Sequence, residues 1–246
     1  MKIALLSDIH ANIQAFEKAL ESIDQQKPDT IYCLGDLVGY HVFPNEVINE
    51  IRKRRIATIA GNHDVKVKKL TEQQLAEMGK NYAYGIIGQE EKAYLATLPA
   101  HIQVDFELND NNLKMLLVHG SPKSNTEYLL EDKDESDFIK VFKDAGVDIL
   151  CFGHSHKPYH RVLSETIDNT TRYFHAINTG SVGKPKDGNP QGGYVMLHIS
   201  PNSNNYDKES LQIQFIRFDY DVEFSAKALE NSPLPDELAE RLRKSY

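Results

Sequence analysis

The chain has 246 residues, 40% hydrophobic and 26% charged, with a formal net charge of −8. That length allows a full hydrophobic core and the composition is that of an ordinary globular protein, while the acidity leaves no overall basic footprint for long nucleic acid. Only two cysteines are present, each ending an apolar run outside any CxxC pair, which excludes a disulfide framework, and no apolar run approaches the roughly twenty residues of a membrane span.

The opening MKIALLSDIH reaches an aspartate before the apolar core of a signal peptide could form. With so few cysteines, the expected compartment is the cytoplasm. Ile3–Leu6 is expected to be a buried strand. Asn12–Gln25 follows as a helix, with Ile13, Phe16, Leu20 and Ile23 at helical spacing. Thr30–Leu34 is a second strand, Pro44–Arg54 a second helix carrying Val47, Ile48 and Ile51 on one face, and Ile56–Ile59 a third strand. Strands separated by helices of this length indicate βαβ units and a parallel sheet.

Thr71–Leu98 is polar and expected to be helical, with a break near Gly85–Gly88. Its Tyr82, Tyr84 and Tyr94 are expected to be packing residues. Ile102–Leu108 and Leu113–Val118 are expected to be neighbouring strands joined by a turn at Asn109–Asn112. A helix over Glu135–Ala145 and strands at Asp148–Phe152, Tyr159–Leu163, Arg172–Ile177, Tyr194–Ile199 and Leu211–Phe218 complete the pattern, and the last 25 residues are expected to be helical. Leu238 and Leu242, four apart, are expected to dock that segment on the body. Two β-rich halves with helices at both ends imply two packed sheets between helices. No linker divides the chain, so residues 1–246 are expected to form one domain, with a helical insert at 65–98 and a helical segment at 222–246.

Five of the expected strands run straight into polar residues: Ser7-Asp8-Ile9-His10, Gly35-Asp36, Gly61-Asn62-His63-Asp64, His119-Gly120 and Gly153-His154-Ser155-His156. Ligands of α/β sheets bind at the carboxyl ends of strands, so these residues can converge. Imidazole with carboxylate suits borderline divalent ions and needs no thiolate. Seven donors (Asp8, His10, Asp36, Asn62, His119, His154 and His156) exceed what one tetrahedral ion takes and match two ions sharing a carboxylate. His63 cannot readily ligate beside Asn62, because adjacent side chains diverge. Asp64 is expected either to orient His63 or to cap a helix.

The ordered set DxH, GD, GNHD, VHG and GHxH resembles the calcineurin-like metallophosphoesterase superfamily, and the stretches GDLVGYHVFPNEVI and NTGSVGKPKDGNP resemble its bacterial and archaeal stand-alone branch. The resemblance implies an α/β fold, a four-layer α/β/β/α sandwich with two mixed β-sheets flanked by helices. It implies two divalent metal ions, Mn²⁺ foremost with Fe, Zn, Ni or Co also accommodated. Asp8, His10 and His156 would bind the first and Asn62, His119 and His154 the second, with Asp36 bridging. His63, Asp36 and Asn62 would be the catalytic group, His63 protonating the leaving oxygen after hydroxide attack on phosphorus.

The chain departs from the Ser/Thr phosphoprotein phosphatases and diadenosine tetraphosphatases of that superfamily. Tyr40 and Ala60 stand where those enzymes carry arginine, and Gly39 where the protein phosphatases place the aspartate that pairs with the catalytic histidine. The expected substrate is therefore a phosphodiester or small phosphomonoester, with phosphoprotein or dinucleotide hydrolysis as the alternative and a non-catalytic scaffold or nuclease less favoured. Tyr40, His41, Lys184 and Lys186 are the expected substrate contacts. Nothing in the sequence names an oligomeric partner.

Overall fold

A computed structural model describes residues 1–109 and 111–246. The first sheet begins with β1 (Lys2–Leu6), which crosses through helix α1 (Ile13–Gln26) to β2 (Thr30–Cys33) and through α2 (Pro44–Arg54) to β3 (Ala57–Thr58). These three strands are parallel. The third is shorter than its apolar run suggested: beyond two ladder residues, Ile59 gives its N–H to Cys33 O and Ala60 turns to the carbonyl of Pro99.

A run of short helices follows: α3 (Asn62–Val67), α4 (Glu72–Leu75), α5 (Tyr82–Gly85) after a 3₁₀ turn at Gly79–Asn81, and α6 (Gln89–Thr97). The expected long helix is thus broken into pieces, with its interruption at residues 86–88 as anticipated. Thr71 caps α4 by accepting the Gln74 N–H while the Gln74 side chain accepts from Thr71 N–H, a reciprocal capping box.

The second sheet comprises β4 (His101–Glu107), β5 (Asn112–Val118), β6 (Ile149–Phe152), β7 (Tyr159–Ile167) and β8 (Thr170–Asn178), ordered β4-β5-β6-β8-β7. Asp110, inside the expected turn, lies outside the described residues. Helix α7 (Glu135–Ala145) joins β5 to β6. The β7–β8 hairpin runs longer than the sequence suggested. Its two loop residues, Asp168 and Asn169, both have positive φ (50° and 62°), the twist that continues an antiparallel ladder into exposed polar sequence. Strands β9 (Gly192–His198) and β10 (Gln212–Phe218) return to the first sheet, whose order is β10-β9-β1-β2-β3, before helices α8 (Val222–Glu230) and α9 (Glu237–Lys244).

Both sheets are mixed, and alternation along β1 shows how they stack. Ala4 and Leu6 face Phe16, Leu20, Val47 and Ile51 of α1 and α2. Ile3 and Leu5 face the other way, onto Met115, Leu117, Ile149 and Cys151 of the second sheet. The far side of that sheet packs Leu150, Phe152 and Phe174 on Phe138 and Phe142 of α7. Successive side chains of a strand point to opposite faces, so one five-residue strand feeds two cores and four layers result. A smaller cluster joins Leu229, Leu238 and Leu242 of α8 and α9 to Ala83 of α5 and to Tyr40 and Val42. The expected docking of the C-terminal helices is therefore observed, and they dock beside the ends of β1 and β2. Among the described residues no helix is long and apolar enough to cross a membrane.

Candidate metal centre

The parallel strands β1, β2 and β3 end at one edge of the first sheet, and β5 and β6 end at the adjoining edge of the second. Their ladders continue past the last strand residue. Asp8 N–H donates to Gly35 O, His10 N–H to Asp36 O, and Gly153 N–H to His119 O. The outgoing loops therefore run side by side and carry their polar residues into one space. The turns needed to do so are tight: Asp8, His10, Asp36, His154 and His156 all have φ between 50° and 66°. L-residues in that left-handed region cost about 1 kcal/mol or more each, and such strain collects at functional sites. Gly61 and Gly153 are needed for another reason, since a Cβ at either would collide with the carboxylate of Asp36 or Asp8.

Three imidazoles are oriented from behind. Nδ1–H donates to a backbone carbonyl in His10 (Val38 O, 3.0 Å), His119 (Leu34 O, 2.8 Å) and His156 (Lys184 O, 2.5 Å). In the neutral ring each Nε2 is then left as a lone pair, the arrangement metal-binding histidines use. His10 Nε2 lies 3.2 Å from His156 Nε2, 3.4 Å from Asp8 Oδ1 and 3.6 Å from Asp36 Oδ2, and His156 Nε2 lies 3.1 Å from Asp8 Oδ1. Across Asp36, His119 Nε2 lies 3.3 Å from its Oδ2 and 3.0 Å from Asn62 Oδ1. In His154 the roles of the nitrogens are reversed, because Nε2–H donates to Thr126 O at 3.2 Å and Nδ1 is left free. Asp8 Oδ1 is buried without any hydrogen-bond partner. Lone pairs and carboxylate oxygens therefore face one another across short gaps, an arrangement that repels unless a cation lies between them.

The donors divide into groups whose ligand atoms all lie within 4.8 Å: Asp8, His10 and His156; Asp36, His119 and His154; and His10, Asp36 and His63. Asp36 stands between the first two. The ionisation of the cluster agrees with a cation site. Burial raises the Asp8 carboxyl, but His156 and His10 outweigh it and hold it well below its ordinary range. Asp36 is likewise held down by His119 and His63 against burial. The Asp36 and Asp8 charges push His119 up to about 10 despite its burial, so in the metal-free protein a proton takes the place of a cation there.

Around the cluster, the expected residues divide. Asp64 is fully buried and does not touch the His63 ring. Its carboxylate accepts N–H from Gly61, Asp36, Leu37 and Val38 at 2.8–3.3 Å, tying the second ligand loop to the start of α3. His63 gives its backbone N–H to Asp36 Oδ1 at 2.8 Å. Tyr40 packs against His10 and His63 at 4.8 and 4.6 Å between ring centroids. Lys184 Nζ lies 4.8 Å from the Tyr40 ring, and burial, with Lys186 and Arg241 adding, lowers it to about 7. Lys186 is half-buried, lowered by burial, and senses the charges of Asp8 and Asp36. His41 is not placed to meet substrate: it is 3% exposed, its Nε2–H donates to Ser225 O and its Nδ1 accepts the Val42 N–H, so both nitrogens are engaged.

Tyr84 packs in the core as expected, but its polar contact was not foreseen, and Tyr128 was not singled out at all. Tyr84 is buried and its hydroxyl bonds His63 Nδ1. Tyr128 stacks its ring on His154 at 4.2 Å while half exposed. Neither belongs to a motif, and only proximity in the fold reveals them. A cleft of 540 Å³ between α7 and the β4–β5 face holds none of the candidate ligands.

Comparison with known proteins agrees with this arrangement. The calcineurin-like phosphoesterase superfamily domain matches residues 1–202. An uncharacterized protein of Methanocaldococcus jannaschii is 32% identical over 257 residues, covering 98% of this chain and 96% of its own. A metallophosphoesterase from Sphaerobacter thermophilus superposes over 100% of both chains with a TM-score of 0.77 at 25% identity. A hypothetical protein from Pyrococcus horikoshii shares the fold, with a TM-score of 0.78 at 22% identity over 98% of this chain and 97% of its own.

Proposed function

This chain belongs to the calcineurin-like phosphoesterase superfamily, and from that premise we propose that it hydrolyses a phosphodiester or a small phosphomonoester at a centre for two divalent metal ions. The observation that carries the reading is the set of unsatisfied donors: the orphaned Asp8 Oδ1 and three imidazole Nε2 atoms whose other nitrogens are tied to carbonyls. Asp8, His10 and His156 would hold one ion and Asn62, His119 and His154 the other, with Asp36 shared. Mn²⁺ leads among the ions such ligands accept, ahead of Fe, Zn, Ni and Co. When bound, the ions would supply a water acidic enough to ionise near neutral pH and would neutralise phosphate oxygens.

The remaining work falls to the chain. Tyr40 walls the side of His10 and His63. Lys186 brings positive charge to that rim, which supports a phosphate oxygen without the fixed fork of an arginine, and the buried Lys184 backs the Tyr40 ring. His63 stands beside the cluster and donates an N–H to the leaving oxygen as the bond from phosphorus breaks. Tyr40 and Ala60 in place of arginines weaken the phosphoprotein and dinucleotide readings, because bidentate phosphate contacts are missing. The packing of α8 and α9 onto Tyr40 supports treating residues 1–246 as one catalytic domain.

The test is hydrolysis of bis-p-nitrophenyl phosphate against p-nitrophenyl phosphate after stripping and reloading with Mn²⁺. Preference for the diester is expected. Preference for the monoester would return phosphomonoesters, phosphoproteins included, to first place. Full hydrolysis by Asp36→Asn would show that the activity does not come from this centre and would overturn the enzyme reading.

A further inference from the structure

His63 lacks the carboxylate partner that a catalytic histidine commonly uses to hold its ring. Gly39 faces the ring at φ 90°, and a Cβ there would strike His63 Nδ1, so no longer side chain fits on that loop. The partner comes instead from the helical insert. The Tyr84 hydroxyl reaches His63 Nδ1 from the floor of α5, with the two rings stacked at 6.0 Å between centroids and 20° apart. Tyr84 is 2% exposed, and its hydroxyl bonds nothing else among the described residues.

The direction of this hydrogen bond follows from that isolation. If Nδ1–H donated to the phenol oxygen, the phenolic proton would be buried without an acceptor, costing on the order of 1–3 kcal/mol. With the phenol donating, the buried hydroxyl hydrogen is used, and the one left over is the ring hydrogen of the less buried His63, on the nitrogen that faces away from Tyr84. A neutral ring accepting at Nδ1 carries its own hydrogen on Nε2. Burial also keeps the phenol protonated, raising it above its ordinary range.

We infer that Tyr84 is the positioning residue of this site: its O–H donates to Nδ1 of His63 and keeps the ring hydrogen on Nε2, the nitrogen left for substrate. The inference rests on the reading of His63 as donor to the leaving oxygen and carries that reading to a substrate class. In the step, the water oxygen bonds phosphorus and gives up a proton to solvent, the bond from phosphorus to the leaving oxygen breaks, and the electron pair stays on that oxygen. A carboxylate partner would stabilise an imidazolium able to hand over a full proton. A phenol partner stabilises a neutral N–H, which offers the leaving oxygen a hydrogen bond while solvent supplies its final proton. Such a site favours phosphodiesters whose leaving oxygen tolerates negative charge, aryl esters foremost, over alkyl esters.

The test pairs Tyr84→Phe, which keeps the ring and removes only the hydroxyl, with His63→Gln and the double variant. In metal-free protein labelled with ¹⁵N at its histidines, the His63 resonance, assigned by its loss in His63→Gln, should show Nδ1 as the unprotonated nitrogen. Tyr84→Phe should shift that ring toward a mixture of tautomers. With Mn²⁺ loaded and a series of aryl phosphodiesters, Tyr84→Phe should lower kcat about tenfold, the worth of one hydrogen bond to the acting group, with KM little changed. The loss should grow as the leaving group becomes more basic, and the double variant should be no slower than His63→Gln. The inference fails if wild-type His63 carries its hydrogen on Nδ1, if Tyr84→Phe leaves the tautomer unchanged, or if the two losses add. If His63→Gln hydrolyses as fast as the wild type, the donor role is wrong and the substrate preference falls with it, while the ring resonances still decide whether Tyr84 sets the tautomer.

Discussion

Asp64 shows how a residue that touches neither metal nor substrate can decide whether a site exists. Its carboxylate collects four backbone N–H groups, three of them from Asp36–Val38, and the Val38 carbonyl in turn orients His10. Asp64→Asn keeps the shape but replaces acceptor lone pairs with N–H₂, leaving two or more buried donors unmatched. We expect a loss of about 3 kcal/mol in urea unfolding of the metal-free protein, together with weaker Mn²⁺ binding. Unchanged unfolding would show that these contacts are dispensable. Removing His63 by His63→Gln should lower kcat by roughly 10²-fold, the low end of what a positioned N–H at the leaving oxygen contributes, while the metal content measured by elemental analysis stays the same. At this scale the candidate ligands that the fold brings together were legible, because each follows an apolar strand and carries a donor chemistry seldom repeated by chance in that order. The capping of α3 by Asp64 was legible too, but its bonds to Asp36–Val38 and the Tyr84 contact were not, since a tyrosine in a polar helical stretch has no pattern that distinguishes a hydrogen bond to a distant ring from ordinary packing.

Among the elements, the α8–α9 pair bears on the site most directly. Leu242 is 3% exposed and packs in the cluster that also holds Tyr40, so Leu242→Ala should cost about 2–5 kcal/mol and loosen the wall beside His10. Comparing thermal unfolding with KM for the chosen diester checks both effects. The same pair is fastened by His41, whose two bonds fix a neutral ring; burial holds it down to about 4 from 6.5. Between those values the unfolded chain binds the proton that the folded chain refuses, so the unfolded state gains as pH falls. This residue contributes up to about 3 kcal/mol above pH 6.5, a contribution lost progressively down to pH 4. His41→Gln should flatten the fall in stability between pH 6.5 and 4, and an unaltered pH profile would refute that. The sequence foretold that this segment docks, from two leucines four apart. It could not foretell where, because the partners Ala83, Tyr40 and Val42 lie far away in sequence. Similarly, the short β3 and the long β7–β8 hairpin depend on ladder partners and turn conformation rather than on apolar runs.

For the whole molecule, the ligand cluster stores repulsion that a cation relieves. Binding to the folded state alone stabilises by mass action, about 2.7 kcal/mol at a hundredfold excess over Kd. For a chain of this size that corresponds to roughly 5–10 °C in melting temperature. The melting temperature in chelator against that in Mn²⁺ measures it, and identical values would mean that the centre does not hold the ion. The layered architecture could be anticipated from strand and helix alternation, whereas the place of β9 beside β1 could not, because antiparallel pairing across some 190 residues of sequence leaves no local trace. That pairing also sets a timetable. A growing chain that has reached residue 160 already contains all seven donors, yet it lacks β9 to flank β1 and the Lys184 carbonyl that aims His156. The donors are synthesised well before the scaffold that orients them, so under the proposed function ion capture would wait until the nascent chain has closed its first sheet, and a half-made polypeptide would carry the ingredients of the proposed centre without the means to assemble it.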